Sequence, residues 1–232
     1  MSDPRSVAAL VLGAGRGERL GFDLPKAFVP LAGRTLIEHS IRALAEASCL
    51  GRIVPVLAPR EFARFEAIGL AGIEALDGPV EGGMERQDSM RAGLASLEDE
   101  VEWVAVQDAA RCLVAPEDIR SVVAVARDAG AAILAEPVRD TIKLVSDGRV
   151  EETPLRAGLW AAQTPQVIRR DWLEEAVEAA ERAGRQATDD AQLVEWLGYP
   201  VRVVRATAPN PKITRPEDLL LAEALLEQRR HG

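Results

Sequence analysis

Val7-Ala8-Ala9-Leu10-Val11-Leu12-Gly13-Ala14-Gly15-Arg16-Gly17-Glu18-Arg19-Leu20 begins as an uninterrupted apolar run and passes directly into a glycine-rich loop. A buried strand that leads into such a loop is how α/β folds bring backbone N–H groups to a phosphate chain. Arg16 and Arg19 add positive charge to the loop, and Lys26 adds a third cation to its continuation. The combination predicts a site for a nucleoside triphosphate, with cations placed where a phosphorus atom is attacked.

Two better-known glycine-rich motifs do not match this loop. The dinucleotide fingerprint G-x-G-x-x-G requires a glycine where Glu18 stands. The P-loop ends in Gly-Lys-Ser or Gly-Lys-Thr, whereas Lys26 lies between Pro25 and Ala27. A glycine-rich loop alone is also typical of a tight turn after a strand, and it is the three cations that favour the phosphate-binding interpretation.

Short apolar runs alternate with amphipathic helical patterns along the rest of the chain. We expect strands at residues 7–12, 52–58, 101–107, 131–135 and 201–206, with a further short strand at 72–76. We expect helices at residues 35–47, 60–68, 86–97, 116–129, 171–183, 189–197 and 216–229. This alternation predicts an α/β fold with a mainly parallel, twisted sheet flanked by helices. Residues 1–232 are expected to form a single domain.

One segment, residues 138–160, breaks the alternation. It contains two β-like runs, 141–145 and 150–155, on either side of Ser146-Asp147-Gly148-Arg149. An Asp-Gly turn between such runs predicts a hairpin. A two-stranded hairpin is marginally stable alone, so we expect this arm to pack against another chain.

The composition favours a soluble protein that binds small ligands. Of 232 residues, 47% are hydrophobic and only 4% aromatic, so the core must be built mostly from aliphatic side chains. The net charge of −9 argues against a protein that coats nucleic acid, which needs a broad basic face. No apolar run is long enough to cross a membrane, and no signal peptide is recognisable. Cys49 and Cys112 are isolated, which indicates free thiols, no Cys/His metal cluster and a cytoplasmic protein.

Polar residues gather where the predicted strands end, which is where ligands bind in parallel sheets. Asp108 follows one strand and suits Mg²⁺, which takes one or two carboxylates together with phosphate oxygens and water; it could equally cap a turn. Lys212 lies in a rigid loop beside a capped helix and is either a positioned cation or a solvated lysine. Ser89, after Gly82-Gly83, either contacts a base or ribose or satisfies a backbone group. The segments 161–166, 188–191 and 210–214 are expected to be polar loops, with Thr188 as an ordinary N-cap.

Seven motifs in order resemble those of the 2-C-methyl-D-erythritol 4-phosphate cytidylyltransferase family: LGAGRGERL…PKAF, GGMERQDSM, VQDAARC, PVRDTIK, GLWAAQTPQ, TDDA and NPKITRPEDL. The resemblance covers roughly residues 7 to 225. It implies a Rossmann-like three-layer nucleotidyltransferase with a protruding β-hairpin arm. It also implies a homodimer that uses Mg²⁺ and CTP to cytidylylate a polyol phosphate in non-mevalonate isoprenoid synthesis.

The resemblance implies roles for individual residues. The expected nucleotide-binding residues are Gly13, Ala14, Gly15, Gly17, Gly83, Arg86, Ser89 and Ala109. The expected catalytic cations are Arg19, Lys26 and Lys212, and the expected metal ligand is Asp108. The expected substrate-binding residues are Arg111, Thr141, Thr164, Thr188 and Arg156, of which Arg156 would come from the other subunit. Met84 stands where the family often has an acid, and Cys112 where it usually has a proline.

Two other interpretations remain open at this point. The substrate can be a different polyol phosphate, such as ribitol 5-phosphate, or the nucleotide a different triphosphate. Alternatively, the chain can be a non-catalytic nucleotide-binding module. The joint presence of Arg19, Lys26 and Asp108 argues against a mere binder, which has little use for charge focused on the α-phosphorus.

Overall fold

The computed structural model describes residues 3–15, 22, 24–70 and 72–231. Its strands are β1 (Val7–Leu12), β2 (Pro30–Leu31), β3 (Arg34–Thr35), β4 (Arg52–Leu57), β5 (Val80–Glu81), β6 (Trp103–Asp108), β7 (Ala131–Pro137), β8 (Leu144–Ser146), β9 (Arg149–Glu152), β10 (Trp160–Arg169) and β11 (Arg202–Arg205). Its helices are α1 (Leu36–Glu46), α2 (Phe62–Glu66), α3 (Arg86–Ala95), α4 (Pro116–Ala129), α5 (Arg170–Arg182), α6 (Asp190–Glu195) and α7 (Pro216–His231).

Seven strands form the central sheet in the order β11-β7-β10-β6-β1-β4-β5. β10 runs antiparallel to both of its neighbours, and every other pair in this sheet is parallel. The predicted mainly parallel sheet is therefore confirmed. Because the parallel strands end at the same edge, the loops that follow β1 and β6 lie side by side.

Helices cover both faces of the sheet, as the two apolar faces of β1 require. Val7, Ala9 and Val11 pack in one buried cluster with side chains of α1 and α4. Ala8 and Leu10 pack in a second cluster with side chains of α3 and α5. Successive side chains of a strand point to opposite faces, so one continuous apolar run stabilises both helical layers. This arrangement confirms the three-layer α/β architecture.

The segment 161–166, which was predicted to be a loop, is a strand, and that prediction is wrong. It lies inside β10, in the middle of the sheet, where Gln166 pairs with Val106 of β6. The register between β10 and β7 shifts between Ala162 and Gln166. Polar side chains can occupy this buried strand because they form hydrogen bonds with the functional site, as described below.

Two smaller expectations also need correction. Residues 72–76 form no strand; Leu76 makes a single bridge to Ile53, and the edge strand is β5. Thr188 does not cap α6, because Asp189 accepts the N-cap hydrogen bond from the N–H of Gln192.

The arm predicted at residues 138–160 contains the expected hairpin, β8 and β9. Asp147 and Gly148 connect the strands with φ angles of 49° and 76°, and this left-handed pair suits the tight twist of a hairpin. Leu144, Val145 and Val150 are more than half exposed. The arm therefore displays apolar side chains that the described part of this chain leaves uncovered.

Both cysteines are free thiols. Cys112 is buried in an apolar cluster with α7 side chains, and burial raises its pKa to about 12. None of the described helices is long and apolar enough to cross a membrane.

Candidate functional site

Backbone hydrogen bonds hold the loops after β1, β6 and β11 against β4, against the end of β1 and against one another. The N–H of Gly13 donates to the carbonyl of Val56 at 2.9 Å, and the N–H of Ala109 donates to that of Leu12 at 3.0 Å. The N–H of Ile213 donates to the carbonyl of Ala110 at 2.8 Å. The last bond holds the residue next to Lys212 against the loop that follows Asp108.

The first cavity at this edge, here called the loop cavity, lies between the glycine-rich loop and the start of α3. The predicted site residues that line it are Gly13, Ala14, Gly15, Lys26, Gly83, Arg86, Ser89, Asp108, Ala109 and Lys212. All the predicted nucleotide-binding residues within the described ranges therefore share one cavity. Gly17 and Arg19 lie outside the described residues.

Close packing explains why small residues line the loop cavity. A Cβ on Gly13 would lie 2.8 Å from Leu57 Cδ2, and a Cβ on Gly83 would lie 2.2 Å from the Cβ of Asp88. Ser89 is buried, and its hydroxyl donates to the carbonyl of Glu85 at 3.1 Å. A hydroxyl oxygen retains lone pairs, so Ser89 can still accept a hydrogen bond from a ligand.

The second cavity, here called the acceptor cavity, lies between β10, the start of α6 and the loop after β6. Arg111, Thr164 and Thr188 line it. The guanidinium of Arg111 donates to the carbonyls of Asn210 and Ala162 at 3.1 and 3.0 Å. These bonds hold Arg111 at the cavity wall and leave its remaining N–H groups for a ligand.

Arg86, Asp108 and Lys212 line both cavities and form the wall that they share. Arg86 Nε lies 3.0 Å from Asp108 Oδ1, and Lys212 Nζ lies 2.6 Å from Asp108 Oδ2. Burial alone would raise the pKa of Asp108, but the charges of Arg86 and Lys212 outweigh it and lower the pKa to about 2. Asp108 is therefore a carboxylate at neutral pH.

Arg86 has a second acidic partner, Asp190, at the start of α6. Arg86 Nη1 and Nη2 lie 2.8 and 2.7 Å from the two Asp190 oxygens. Burial works against the charge of Arg86, yet Asp190 and Asp108 together raise its pKa well above the ordinary value. Asp190 was not predicted as a functional residue. It lies in the TDDA motif, two positions after Thr188, but its role depends on the contact with the remote Arg86.

A family model for 2-C-methyl-D-erythritol 4-phosphate cytidylyltransferase matches residues 7–228 of the chain. The chain belongs to this family. A relative from Pelotomaculum thermopropionicum, named 2-C-methyl-D-erythritol 4-phosphate cytidylyltransferase, is 44% identical over 226 residues, which is 96% of this chain and 95% of the relative.

Solved structures with the family's names share the fold. The crystal structure of 2-C-methyl-D-erythritol 4-phosphate cytidylyltransferase from Thermus thermophilus is 33% identical, with a TM-score of 0.76, and covers 94% of this chain and 98% of its own. That of 4-diphosphocytidyl-2C-methyl-D-erythritol synthase from Anaerococcus prevotii is 26% identical, with a TM-score of 0.86, and covers 97% of this chain and 100% of its own. The chain is thus a nucleotidyltransferase of the cytidylyltransferase family, as the seven motifs predicted.

Buried polar residues of β10 support the shared wall in this member of the cytidylyltransferase family. The N–H of Asp108 donates to Thr164 Oγ1 at 3.1 Å. The amide of Asn210 donates to the Thr164 carbonyl at 3.1 Å and to Gln163 Oε1 at 3.2 Å. Sequence reasoning missed Asn210 and Gln163, whose partners are remote along the chain. Their side chains join the loop before Lys212 to the strand beside Asp108.

Two predicted substrate-binding residues are not brought to the cavities. Among the described residues, Thr141 and Arg156 line neither cavity. Both are exposed in the arm, where the guanidinium of Arg156 donates to the Arg139 carbonyl at 2.7 Å.

The residues around Asp108 fit a divalent cation that is held by one carboxylate. In the described ranges, no group of three or more His, Cys, Asp or Glu residues is arranged to hold a metal, so the other ligands would be phosphate oxygens and water. A carboxylate offers about four lone-pair positions, and its contacts with Arg86 and Lys212 leave some of these for a metal.

Proposed function

We propose that this chain catalyses the reaction of CTP with 2-C-methyl-D-erythritol 4-phosphate, forming 4-diphosphocytidyl-2-C-methyl-D-erythritol and pyrophosphate. The wall shared by the two cavities is the observation that carries the proposal. A nucleotide in the loop cavity and a polyol phosphate in the acceptor cavity would meet at Arg86, Asp108 and Lys212, where charge is needed for phosphoryl chemistry.

The loop cavity is the proposed CTP site. Ala14 and Gly15, with Gly17 further along the loop, would offer backbone N–H groups to the triphosphate. The N–H of Gly13 is bonded to Val56, and Gly13 would instead let the loop pack closely beneath the nucleotide. The cytidine would lie against Gly83 and Ser89, with Arg86 at the start of the same helix. The small side chain of Ala109 would let the nucleotide approach the end of β6. Met84 stands where the family often has an acid, so it offers no carboxylate to the base. Recognition of the base would then depend on backbone groups and on Ser89.

The proposed chemistry is a direct displacement at the α-phosphorus. An oxygen of the polyol phosphate forms the new O–P bond while the bond to the departing pyrophosphate breaks in line with it, and no covalent enzyme intermediate forms. Lys26 and Arg19 would stabilise the charge that develops on the pentacovalent phosphorus, and Lys212 would guide the attacking phosphate.

Asp108 is the proposed protein ligand of Mg²⁺. When bound, the metal supplies neutralising charge between two anionic substrates. Asp108 supports this assignment because it is ionised at neutral pH and lies at the boundary of both cavities. The ammonium group of Lys212 lies beside Asp108 Oδ2. The positive charge of Lys212 and the negative charge of Asp108 would therefore both lie next to the reacting phosphates.

The acceptor cavity is the proposed polyol-phosphate site, completed by a second copy of the chain. Arg111, Thr164 and Thr188 would contact the substrate from one subunit, and Thr141 and Arg156 of the partner subunit would contact it from the arm. The uncovered apolar side chains of the hairpin support a homodimer, because a second chain would bury them. Arginine suits the phosphate of the polyol phosphate because its planar fork can form two parallel hydrogen bonds.

Pyrophosphate release tests this proposal directly, with each of four nucleoside triphosphates against 2-C-methyl-D-erythritol 4-phosphate, ribitol 5-phosphate and other polyol phosphates. We expect the highest kcat/KM for CTP with 2-C-methyl-D-erythritol 4-phosphate. A preference for ribitol 5-phosphate would reassign the substrate. CTP binding without pyrophosphate release in any combination would indicate a binding module.

The two free thiols agree with a cytoplasmic reaction.

A further inference from the structure

Asp190 is a buried acid whose charge the proposed reaction does not use. Its residue is 1% exposed, and it is not among the described residues that line either cavity. It nevertheless binds the guanidinium of Arg86 through both carboxylate oxygens. Burying a carboxylate is costly unless it is paired and hydrogen-bonded. The contact with Arg86 is therefore a direct route by which the charge of Asp190 can reach the substrates.

β10 and α6 hold Asp190 in one position. Gln166 Oε1 accepts hydrogen bonds from the N–H groups of Asp190 and Ala191 at 3.0 and 2.9 Å. The side-chain amide of Gln166 donates to Asp189 Oδ2 at 2.9 Å. Because Gln166 pairs with Val106 in β6, these bonds fix α6 relative to the strand that ends at Asp108.

The guanidinium of Arg86 lies between the carboxylates of Asp190 and Asp108 and pairs with both. Arg86 uses Nη1 and Nη2 for Asp190 and its Nε for Asp108. The geometry favours Asp190 as the main counter-ion, with two bonds of 2.8 and 2.7 Å against one of 3.0 Å to Asp108. Arg86 thus orients Asp108, while Asp190 balances much of the positive charge of Arg86.

We propose that Asp190 is a positioning residue that balances the charge of Arg86 and so leaves the Asp108 carboxylate strong enough to hold a divalent cation. The inference rests on the proposed function, because it takes Asp108 as the metal ligand. Without the charge of Asp190, Arg86 would pair fully with Asp108 and compete with the metal. Loss of an outer partner of a metal ligand typically weakens metal binding about 10–100-fold.

Mn²⁺ binding measured by electron paramagnetic resonance, with a non-reacting α,β-methylene analogue of CTP, tests the inference without turnover. We expect Asp190→Asn to weaken Mn²⁺ binding at least about tenfold. We expect Asp190→Glu to recover most of the affinity, because it keeps the charge although its shape fits less well. A purely structural role predicts the opposite order, since asparagine is the closer match in shape.

The opposite end of the sheet offers a matched control. Arg52 also lies between two carboxylates, 2.7 Å from Asp77 and 3.0 Å from Glu98. It lines neither the loop cavity nor the acceptor cavity. We expect Asp77→Asn, which removes one of the two carboxylate partners of an arginine outside the site, to leave Mn²⁺ affinity unchanged.

Comparing a double variant with a single variant shows whether Asp190 acts through Arg86. The comparison also tests the inference if Asp190→Asn alone does not fold. Adding Asp190→Asn to Arg86→Gln removes both charges of the buried pair. We expect this double variant to bind Mn²⁺ as Arg86→Gln alone does, because residues that act as a unit are not additive. A further loss of affinity in the double variant would overturn the inference.

The remaining outcomes separate this inference from the proposed function. Wild-type Mn²⁺ affinity in folded Asp190→Asn would overturn the positioning role alone. Wild-type protein that binds no Mn²⁺ with the CTP analogue would overturn the metal assignment and this inference together.

Discussion

At the scale of single residues, the chemistry of the site depends on how Asp108 is held. Its N–H donates to Thr164, and its two carboxylate oxygens accept from Arg86 and Lys212. Each partner comes from a different part of the chain, so the carboxylate has little freedom to turn. A side chain fixed in this way can present a charge to phosphates without reorganising during the reaction.

We expect Asp108→Asn to abolish nearly all turnover while the protein stays folded. The amide has the same shape but cannot supply the negative charge that a divalent cation needs. Pyrophosphate release at saturating CTP measures the loss, and circular dichroism checks the fold. Near wild-type activity with Mg²⁺ would show that Asp108 is not the metal ligand.

The ion pairs of Asp108 also predict a dependence of stability on pH. The pKa of this carboxyl is lowered from 3.8 to about 2 in the folded chain, so its pairing stabilises the fold above pH 3.8 and is lost as the pH falls through about 2. A shift of this size corresponds to about 2 kcal/mol of unfolding free energy. Urea unfolding should show that Asp108→Asn is less stable than wild type at pH 7, with a gap that closes towards pH 2. A constant gap at all pH values would contradict a charge-dependent contribution.

Lys26 belongs to the chemical step in our proposal, and Lys26→Ala should therefore lower kcat. Loss of one group that stabilises transition-state charge typically costs about 10²–10³-fold. Steady-state kinetics with varied CTP separate the two constants. A rise in KM with kcat unchanged would mean that Lys26 binds only the ground state.

The parts of the site that the sequence predicts are those that follow a strand directly. Asp108 and the glycines of the loop cavity lie at the ends of apolar runs, so the position of each strand places them at one edge. The pair of Arg86 and Asp190 spans 104 positions along the chain. No local pattern encodes such a contact, and the roles of Asp190 and Gln166 emerge only from the folded structure.

At the scale of elements, apolar periodicity predicts most of the parallel part of the sheet, misses the short edge strand β5 and fails for β10. β1, β4, β6 and β7 coincide closely with predicted strands, because buried strands carry continuous apolar runs. The mostly exposed edge strand β11 also lies within a predicted strand. β10 has Gln163-Thr164-Pro165-Gln166 at its centre, and these residues are typical of a loop. Their burial is compensated by partners such as Asn210 and Asp189, which sequence proximity does not reveal.

Gly130 connects α4 to β7, and its surroundings leave so little space that one added methyl group should strongly destabilise the fold. Gly130 has φ of 96°, and a Cβ there would lie 2.0 Å from Trp172, whose ring stacks on Tyr199 at 4.2 Å. We expect Gly130→Ala to lower the unfolding free energy by about 3 kcal/mol or more, from overpacking and backbone strain together.

Gly184→Ala is the matched control for this substitution. Gly184 has φ of 60° with no atom within 4 Å of the added Cβ, so only backbone strain of about 1–2 kcal/mol is expected. Urea unfolding compares the two variants. Equal losses would show that Trp172 moves aside at no cost.

At the scale of the whole molecule, each site of the proposed homodimer would contain residues from both chains. Arg156 lies in the exposed arm, whereas Lys26 lines the loop cavity. The two residues would then serve the same site from different subunits. An inactive chain that lacks one of them can be complemented by an inactive chain that lacks the other.

Mixing Arg156→Ala with Lys26→Ala and allowing subunits to exchange should restore activity. About half of the dimers would be mixed, and each would contain one intact site, which gives up to roughly a quarter of the wild-type rate per subunit. Native mass spectrometry reports the exchange, and each variant alone gives the baseline. Confirmed exchange without recovered activity would contradict the shared site.

The late position of β10 in the chain has a consequence for protein synthesis. β6 lies between β1 and β10, and β7 lies between β10 and β11. A nascent chain that ends at Pro137 therefore carries β6 with one bare edge and β7 with no neighbouring strand. Bare apolar edges invite pairing between chains, and such partly folded species are prone to aggregate. Until residues 160–169 leave the ribosome, the two halves of the sheet remain unjoined. We therefore expect the growing polypeptide to be prone to aggregation during this interval.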